Sequence, residues 1–203
     1  MSTRLKICGI TSFNDAIACA DLGVDYLGFN FFSGSLRYIY PGRARSIVQS
    51  LPQTIKSVAI IVRPKLSEVM DIVKQTGVDL VQIIEPVDFK DFYQIPVPVI
   101  ITKRINEDMS EDYHLKGASM ILLDTYTKNE LGGSGKTFDW SLIPESIPRE
   151  NLVLAGGITT LNIEEALIKV KPAIIDVASG AEIKPGIKDL EKVKRLVEII
   201  RRY

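Results

Sequence analysis

Two rhythms of apolar and polar residues alternate along the chain. Short apolar runs of strand length fall at residues 4–10, 26–32, 56–62, 80–84, 97–101, 119–123, 152–155 and 173–177, and each reads as a strand buried on both faces. Between them apolar residues recur with the i, i+3, i+4, i+7 spacing of an amphipathic helix: Phe13, Ala16, Ile17 and Ala20; Ala44, Ile47, Val48 and Leu51; Leu66, Val69, Met70 and Val73; Ile163, Ala166, Leu167 and Val170. A last helix carries Leu190, Val193, Val197 and Ile200 along one side, and ends at Arg201 and Arg202, cations that suit its C-terminal dipole.

The punctuation between elements repeats as well. Gly23, Gly77 and Gly117 each stop a helix just before a strand, and Ser12 before Asp15 and Asn162 before Glu165 stand at capping-box spacing. Segments 86–93 and 106–116 are weakly patterned, and after the sixth strand only 140–143 can be helical, so the helices after strands four to six are trimmed. Eight strands buried on both faces and followed by helices predict an α/β fold, a single (β/α)8 TIM barrel over residues 1–203. The competitor is an open doubly wound sheet. In a barrel the strand C-termini converge on one face, so the residues after each strand define the site.

Composition narrows the field. The chain has 203 residues, 46% of them hydrophobic, and its 25 Lys and Arg balance 25 Asp and Glu. That is ordinary for a soluble globular protein, and no net field points to nucleic acid or to a membrane. No run has transmembrane length and the N-terminus lacks a signal-peptide core, so a cytoplasmic location is expected. Cys8 and Cys19 are expected to be free thiols, with Cys19 a small buried hydrophobe. His114, the sole histidine, sits in a polar stretch and reads as a surface residue, which leaves histidine triads and zinc sites poorly supported.

Chemistry gathers at the strand ends. The sixth strand closes on Asp124 and leads into a loop holding Gly132, Gly133 and Gly135. The tail Gly135-Lys136-Thr137 imitates a P-loop, but Glu130 stands where that motif needs its first glycine. Strand one ends KICGIT, with Lys6 and Cys8 on one face by period two. The turn after strand two presents Arg37, a fork for carboxylate or phosphate. Gly156-Gly157 and Ser179-Gly180 follow strands seven and eight, where barrels often hold phosphate. These residues imply a phosphorylated small molecule met by a thiol, a carboxylic acid and an arginine, without identifying the reaction.

KICGIT at 6–11, GFNFF with S-x-R at 28–37, LLD at 122–124, GGSGKTFDW at 132–140, LAGGI at 154–158 and DVASGAE with G-x-K-D at 176–189 together closely resemble phosphoribosylanthranilate isomerase of tryptophan biosynthesis. The resemblance implies a cofactor-independent Amadori rearrangement of N-(5'-phosphoribosyl)anthranilate to 1-(2-carboxyphenylamino)-1-deoxyribulose 5-phosphate. It casts Asp124 as the general acid that opens the furanose ring and Cys8 as the general base at C2'. Arg37 would pair with the anthranilate carboxylate, and Gly156, Gly157, Ser179 and Gly180 would hold the phosphate. Gly133 and Gly135 would shape the loop beside Asp124, with Gln82 and Asp176 counted among the substrate-binding residues. Such chemistry asks for an Asp124 pKa raised by a dry or anionic setting and a Cys8 pKa lowered by cations. A phosphorylated small molecule is the expected partner, with no nucleic acid and no membrane, for a monomer or homodimer.

The sequence departs from the family pattern in places. Leu36 stands where a proline is usual, Ile84 and Glu85 replace a histidine and a glycine, Ser134 replaces a threonine and Ala178 a serine, and Arg63-Pro64 follows strand three where asparagine is usual. Three rival functions are weighed. Another phosphate-binding barrel enzyme, such as an indole-glycerol-phosphate synthase or a sugar-phosphate epimerase, would need strand-end lysine and glutamate or a metal site. An aminoaldose isomerase of broadened specificity would favour a second aspartate where Cys8 stands. A non-catalytic ligand-binding descendant would bind without turnover.

Overall fold

Eight parallel strands pair in chain order and close on themselves in the computed structural model, which describes residues 2–87, 92–105, 117–125 and 137–203. They are β1 (Arg4–Cys8), β2 (Tyr26–Asn30), β3 (Lys56–Val62), β4 (Leu80–Ile84), β5 (Val99–Ile105), β6 (Met120–Thr125), β7 (Leu152–Leu154) and β8 (Ile174–Val177). Helices α1 (Phe13–Asp21), α2 (Pro41–Val48), α3 (Leu66–Thr76), α4 (Ile163–Lys169) and α5 (Leu190–Ile200) lie where the apolar periodicity placed them. The parallel α/β barrel is thus the fold, and the open sheet is excluded by the pairing of β8 with β1, Arg4 to Ile174 through Ile7 to Val177. Between β4 and β5 the described residues carry no helix, and between β6 and β7 they carry only the 3-10 turns Trp140–Leu142 and Arg149–Asn151. His114, Gly132, Gly133, Ser134 and Gly135, with segment 106–116, lie outside the described residues.

The period of two along each strand splits the core in two. Tyr26, Val58, Leu80, Ile100, Leu122, Val153 and Ile174 fill the barrel interior. Leu5, Ile7, Leu27, Phe29, Val81 and Ile83 point outward and pack with helix residues such as Ala16, Ala44, Val69, Val193 and Leu196. Cys19 belongs to this outer layer, fully buried in α1, and burial pushes its thiol up to about 12, as suits an inert packing residue.

The repeated Gly-Val-Asp joint has a structural reason. Gly23 and Gly77 adopt left-handed φ of 87° and 70°, which lets the chain leave the helix without a Cβ clash. The aspartates then tie off strand starts: Asp25 Oδ2 accepts from the Leu5 N–H at 2.8 Å, and Asp79 Oδ2 accepts from the Ser57 N–H at 2.8 Å. Ser12 caps α1 as its spacing predicts, accepting from the Asp15 N–H at 3.1 Å. Asn162 does not cap α4. Its Oδ1 accepts from the Thr159 N–H at 2.8 Å and its Nδ2 donates to the Gly157 carbonyl at 2.9 Å, so this side chain braces the loop after β7.

Strand ends differ from the apolar pattern where the backbone turns. β1 stops at Cys8 because Gly9 is left-handed (φ 79°), and the Gly9 and Ile10 N–H groups both donate to the Gly28 carbonyl. β2 stops at Asn30, whose Oδ1 accepts from the Phe32 N–H. β5 runs further than its apolar run, to Ile105, carrying the polar residues Thr102 and Arg104 up to the barrel mouth.

Candidate active site at the barrel mouth

A cavity of about 570 Å³ opens over the C-terminal ends of the strands. Its lining includes Cys8, Arg37, Gln82, Asp124, Gly156, Gly157, Asp176 and Ser179, drawn from β1, β4, β6, β8 and the loops after β2, β7 and β8. Eight of the eleven residues singled out from the sequence thus share one cavity. Gly180 is not among the lining residues. It packs behind them against the Ile158 carbonyl, where a Cβ would collide. Gly133 and Gly135 lie outside the described residues. Among the described residues no group of three or more His, Cys, Asp or Glu side chains is arranged to hold a metal.

The cavity floor is a polar layer set in an apolar barrel. Lys6 is fully buried, and its Nζ donates to Asp176 Oδ2 at 2.8 Å and Gln82 Oε1 at 2.9 Å. Gln82 Nε2 in turn donates to Thr102 Oγ1 at 3.1 Å. Both ends of the Gln82 amide are therefore engaged internally, which makes it a bracket for Lys6 as well as a wall residue. Burial disfavours the Lys6 charge, yet the Asp176 carboxylate and the Cys8 thiol outweigh it and hold the ammonium pKa above its ordinary value. Asp176 keeps one buried oxygen, Oδ1, with no hydrogen-bond partner among the described residues. An acceptor left open at a cavity wall is a place for a ligand donor.

Asp124 is the penultimate residue of β6, beside Arg104, its register partner on β5. Burial dominates its environment and pushes its carboxyl up to about 6, aided by the Asp176 charge and opposed by the Thr125 N–H, Arg104 and Lys6. The carboxyl accepts from the Thr125 N–H at 2.8 Å. The raised pKa is what a proton donor working near neutrality requires. Gly156, just after the adjacent strand β7, abuts it with φ 84°, and a Cβ there would lie 2.9 Å from Asp124 Oδ1 and 2.6 Å from the Thr125 nitrogen.

Cys8 answers the expectation only in part. Lys6, Lys188 and Arg37 do surround it and each pulls its thiol pKa down, but burial is the larger effect and, with the Asp176 charge, leaves the thiol above its ordinary value. The cations are in place, yet burial outweighs them.

Arg37 is the least free of the expected binding residues. Glu182 takes its Nε at 3.0 and 3.1 Å and its Nη2 at 2.7 Å. Glu182 and Lys188 were visible in the sequence as part of a motif, but no role attached to them. Their setting is a small hairpin, β9 (Glu182–Lys184) and β10 (Ile187–Lys188), that the strand pattern does not reveal. The Pro185-Gly186 turn between them is the signal that could have found it. The proline-to-leucine change before Arg37 does not release the turn, because Ser35 Oγ accepts from the Arg37 N–H at 3.1 Å and from Asn30 Nδ2 at 3.2 Å.

Comparisons with known proteins agree with one another. The family model described as N-(5'phosphoribosyl)anthranilate (PRA) isomerase matches residues 5–199. A relative of that name from Nitrosospira multiformis is 39% identical over 196 residues, covering 95% of this chain and 94% of its own. The crystal structure of phosphoribosyl anthranilate isomerase from Thermotoga maritima superposes with a TM-score of 0.85 at 34% identity, covering 99% of this chain and all of the other. A phosphoribosyl anthranilate isomerase in complex with reduced 1-(o-carboxyphenylamino)-1-deoxyribulose 5-phosphate superposes with a TM-score of 0.82 at 31% identity, over 99% of this chain and 100% of that one.

Proposed function

The chain belongs to the N-(5'-phosphoribosyl)anthranilate isomerase family, an isomerase of tryptophan biosynthesis, and from that premise we propose that Asp124 and Cys8 divide the proton transfers of its Amadori rearrangement. The observation that carries this reading is one cavity holding a carboxyl pushed up to about 6 and a thiol ringed by three cations.

Asp124 gives its proton to the furanose ring oxygen, the C1'–O bond breaks, and the aminoaldose opens to a protonated Schiff base. Cys8, as thiolate, then takes the proton from C2', leaving an enolamine that tautomerises to the ketone. The first step needs an acid and the second a base, and these must hold opposite protonation states at the same time. A cationic Schiff base adjacent to the thiol adds positive charge at the moment the thiolate is needed, which offsets the burial that disfavours it.

Binding follows from the remaining lining. Arg37 receives the anthranilate carboxylate, and the unpaired Oδ1 of Asp176 accepts from a substrate N–H or O–H group. The left-handed Gly156 and Gly157, φ 84° and 65°, bring bare backbone to the cavity beside Ser179, a cradle for the 5'-phosphate. The deciding experiment follows loss of fluorescence as freshly generated N-(5'-phosphoribosyl)anthranilate is consumed. Turnover by the purified protein that disappears in Cys8→Ala and in Asp124→Asn supports the reading, and substrate binding without turnover by the unmodified protein refutes it.

A further inference from the structure

Arg37, Glu182 and Lys188 form a row of alternating charge that sinks from the cavity edge into the protein. Glu182 Oε1 accepts from Arg37 Nε at 3.0 Å, Lys188 Nζ at 2.7 Å and the Gly186 N–H at 3.1 Å, while Oε2 accepts from Arg37 Nη2 at 2.7 Å. Lys188 Nζ also donates to the Cys8 carbonyl at 2.6 Å. The Lys188 and Glu182 side chains are 0% and 3% exposed, against 17% for Arg37, so the guanidinium is the member that reaches the cavity. The Arg37 stem crosses Gly9 so closely that a Cβ there would lie 2.5 Å from its Cδ.

A guanidinium offers two edges to a carboxylate. Glu182 occupies the Nε/Nη2 edge, and Nη1 has no hydrogen bond among the described residues. Two cations face one buried carboxylate, so the row keeps a net positive charge at its open end. We propose that Glu182 is a positioning residue for the substrate's aromatic carboxylate: by taking the Nε/Nη2 edge of Arg37 it presents the Nη1/Nη2 edge to the cavity, with Lys188 fastening Glu182 to the end of β1. This rests on the assignment of carboxylate binding to Arg37. Burial alone would raise the Glu182 carboxyl, but its hydrogen bonds to Arg37 and Lys188 hold it below its ordinary range, so it is ionised when the isomerase works.

The test compares the affinity of reduced 1-(o-carboxyphenylamino)-1-deoxyribulose 5-phosphate with that of the same compound lacking the carboxylate, by calorimetry. The unmodified protein is expected to favour the carboxylate about 10- to 100-fold, the range of one charge-assisted hydrogen bond. Arg37→Ala brings that preference near one. Glu182→Gln is expected to do the same, while binding the compound without the carboxylate within about threefold of the unmodified protein. A merely structural glutamate would weaken both compounds alike. An unchanged preference in Glu182→Gln overturns the inference, and a larger one overturns it too, by showing that Glu182 competes with the substrate. Should Glu182→Gln fail to fold, Glu182→Gln with Lys188→Met removes the opposed charges together and carries the same expectation. If the unmodified protein binds neither compound, the functional reading falls and this inference with it.

Discussion

Arg63 and Glu85 both lie in the left-handed region, at φ 50° and 51°, one residue beyond the paired ends of β3 and β4, and Arg63 Nε donates to Glu85 Oε2 at 2.8 Å. These are two of the positions where the chain departs from the family pattern of asparagine and glycine. Those two residue types tolerate left-handed backbone best. The departures therefore meet in one place, and the side chains that create the strain also bind each other. Arg104 adds a second partner for Glu85 at 3.4 Å.

Glu85→Gly is expected to leave the stability unchanged or raise it by up to about 1 kcal/mol, because relief of a left-handed non-glycine residue is worth about that much. The Arg63 ion pair it loses is exposed and the Arg104 pair is half-buried but long at 3.4 Å, and together they contribute about 0–1 kcal/mol. Glu85→Ala keeps the strain and loses the pairs, and should cost about 1 kcal/mol. Urea midpoints at constant m decide between them. A loss above 1 kcal/mol in Glu85→Gly would mean that the arginine contacts outweigh the backbone.

The Lys6–Asp176 pair spans β1 and β8 in the barrel interior. Lys6→Met leaves the Asp176 carboxylate buried without its cation and should cost about 3–5 kcal/mol. Lys6→Met with Asp176→Leu should recover most of that loss, since removing both charges also removes the need to bury them. Equal losses in the single and double variants would show that Gln82 and Thr102, and not the ion pair, organise this layer.

Much of the barrel was legible because two periods, near two and near 3.6, are written directly in the residues that face the two cores. Strand ends were not, since they are set by single backbone events: the left-handed Gly9, the Asn30 side chain, the continuation of β5 through Thr102 and Arg104. The acid and the thiol were legible as residues at strand ends. Their protonation was not, because it depends on burial that only the closed barrel creates. Glu182 shows the limit most plainly. It lies 145 residues from Arg37 along the chain, and nothing local announces that the two side chains meet.

Gly156→Ala tests how tightly Asp124 is packed. Alanine at φ 84° is strained, and its Cβ would press on the Thr125 backbone and the Asp124 carboxyl. Stability should fall by about 1–3 kcal/mol. The kcat should fall by about 10- to 100-fold, as expected when a reacting group is displaced by a fraction of an ångström to an ångström. A normal kcat in the folded fraction would show that the end of β6 yields without moving the acid.

In the proposed division of proton transfers the pKa values of Asp124 and Cys8 stand in reverse order, and this shapes the pH profile. Asp124 must be protonated, so its contribution is lost as pH rises above about 6. Cys8 must be ionised, so its contribution is lost as pH falls below its own pKa, which burial raises above the ordinary thiol value. Between these limits the acid fraction falls tenfold per unit while the thiolate fraction rises tenfold, and their product stays constant. In the free enzyme only a small fraction of molecules then holds the reactive pair of states. The kcat/KM is expected to be flat from about pH 6 up to the raised pKa of the thiol, falling on both sides. In Asp124→Asn the plateau is lost, and the residual rate, lower by about 10²- to 10⁴-fold, should climb with pH as Cys8 ionises. A profile of the unmodified enzyme whose alkaline fall begins near about pH 7 would mean that the surrounding cations, and not burial, set the state of the thiol.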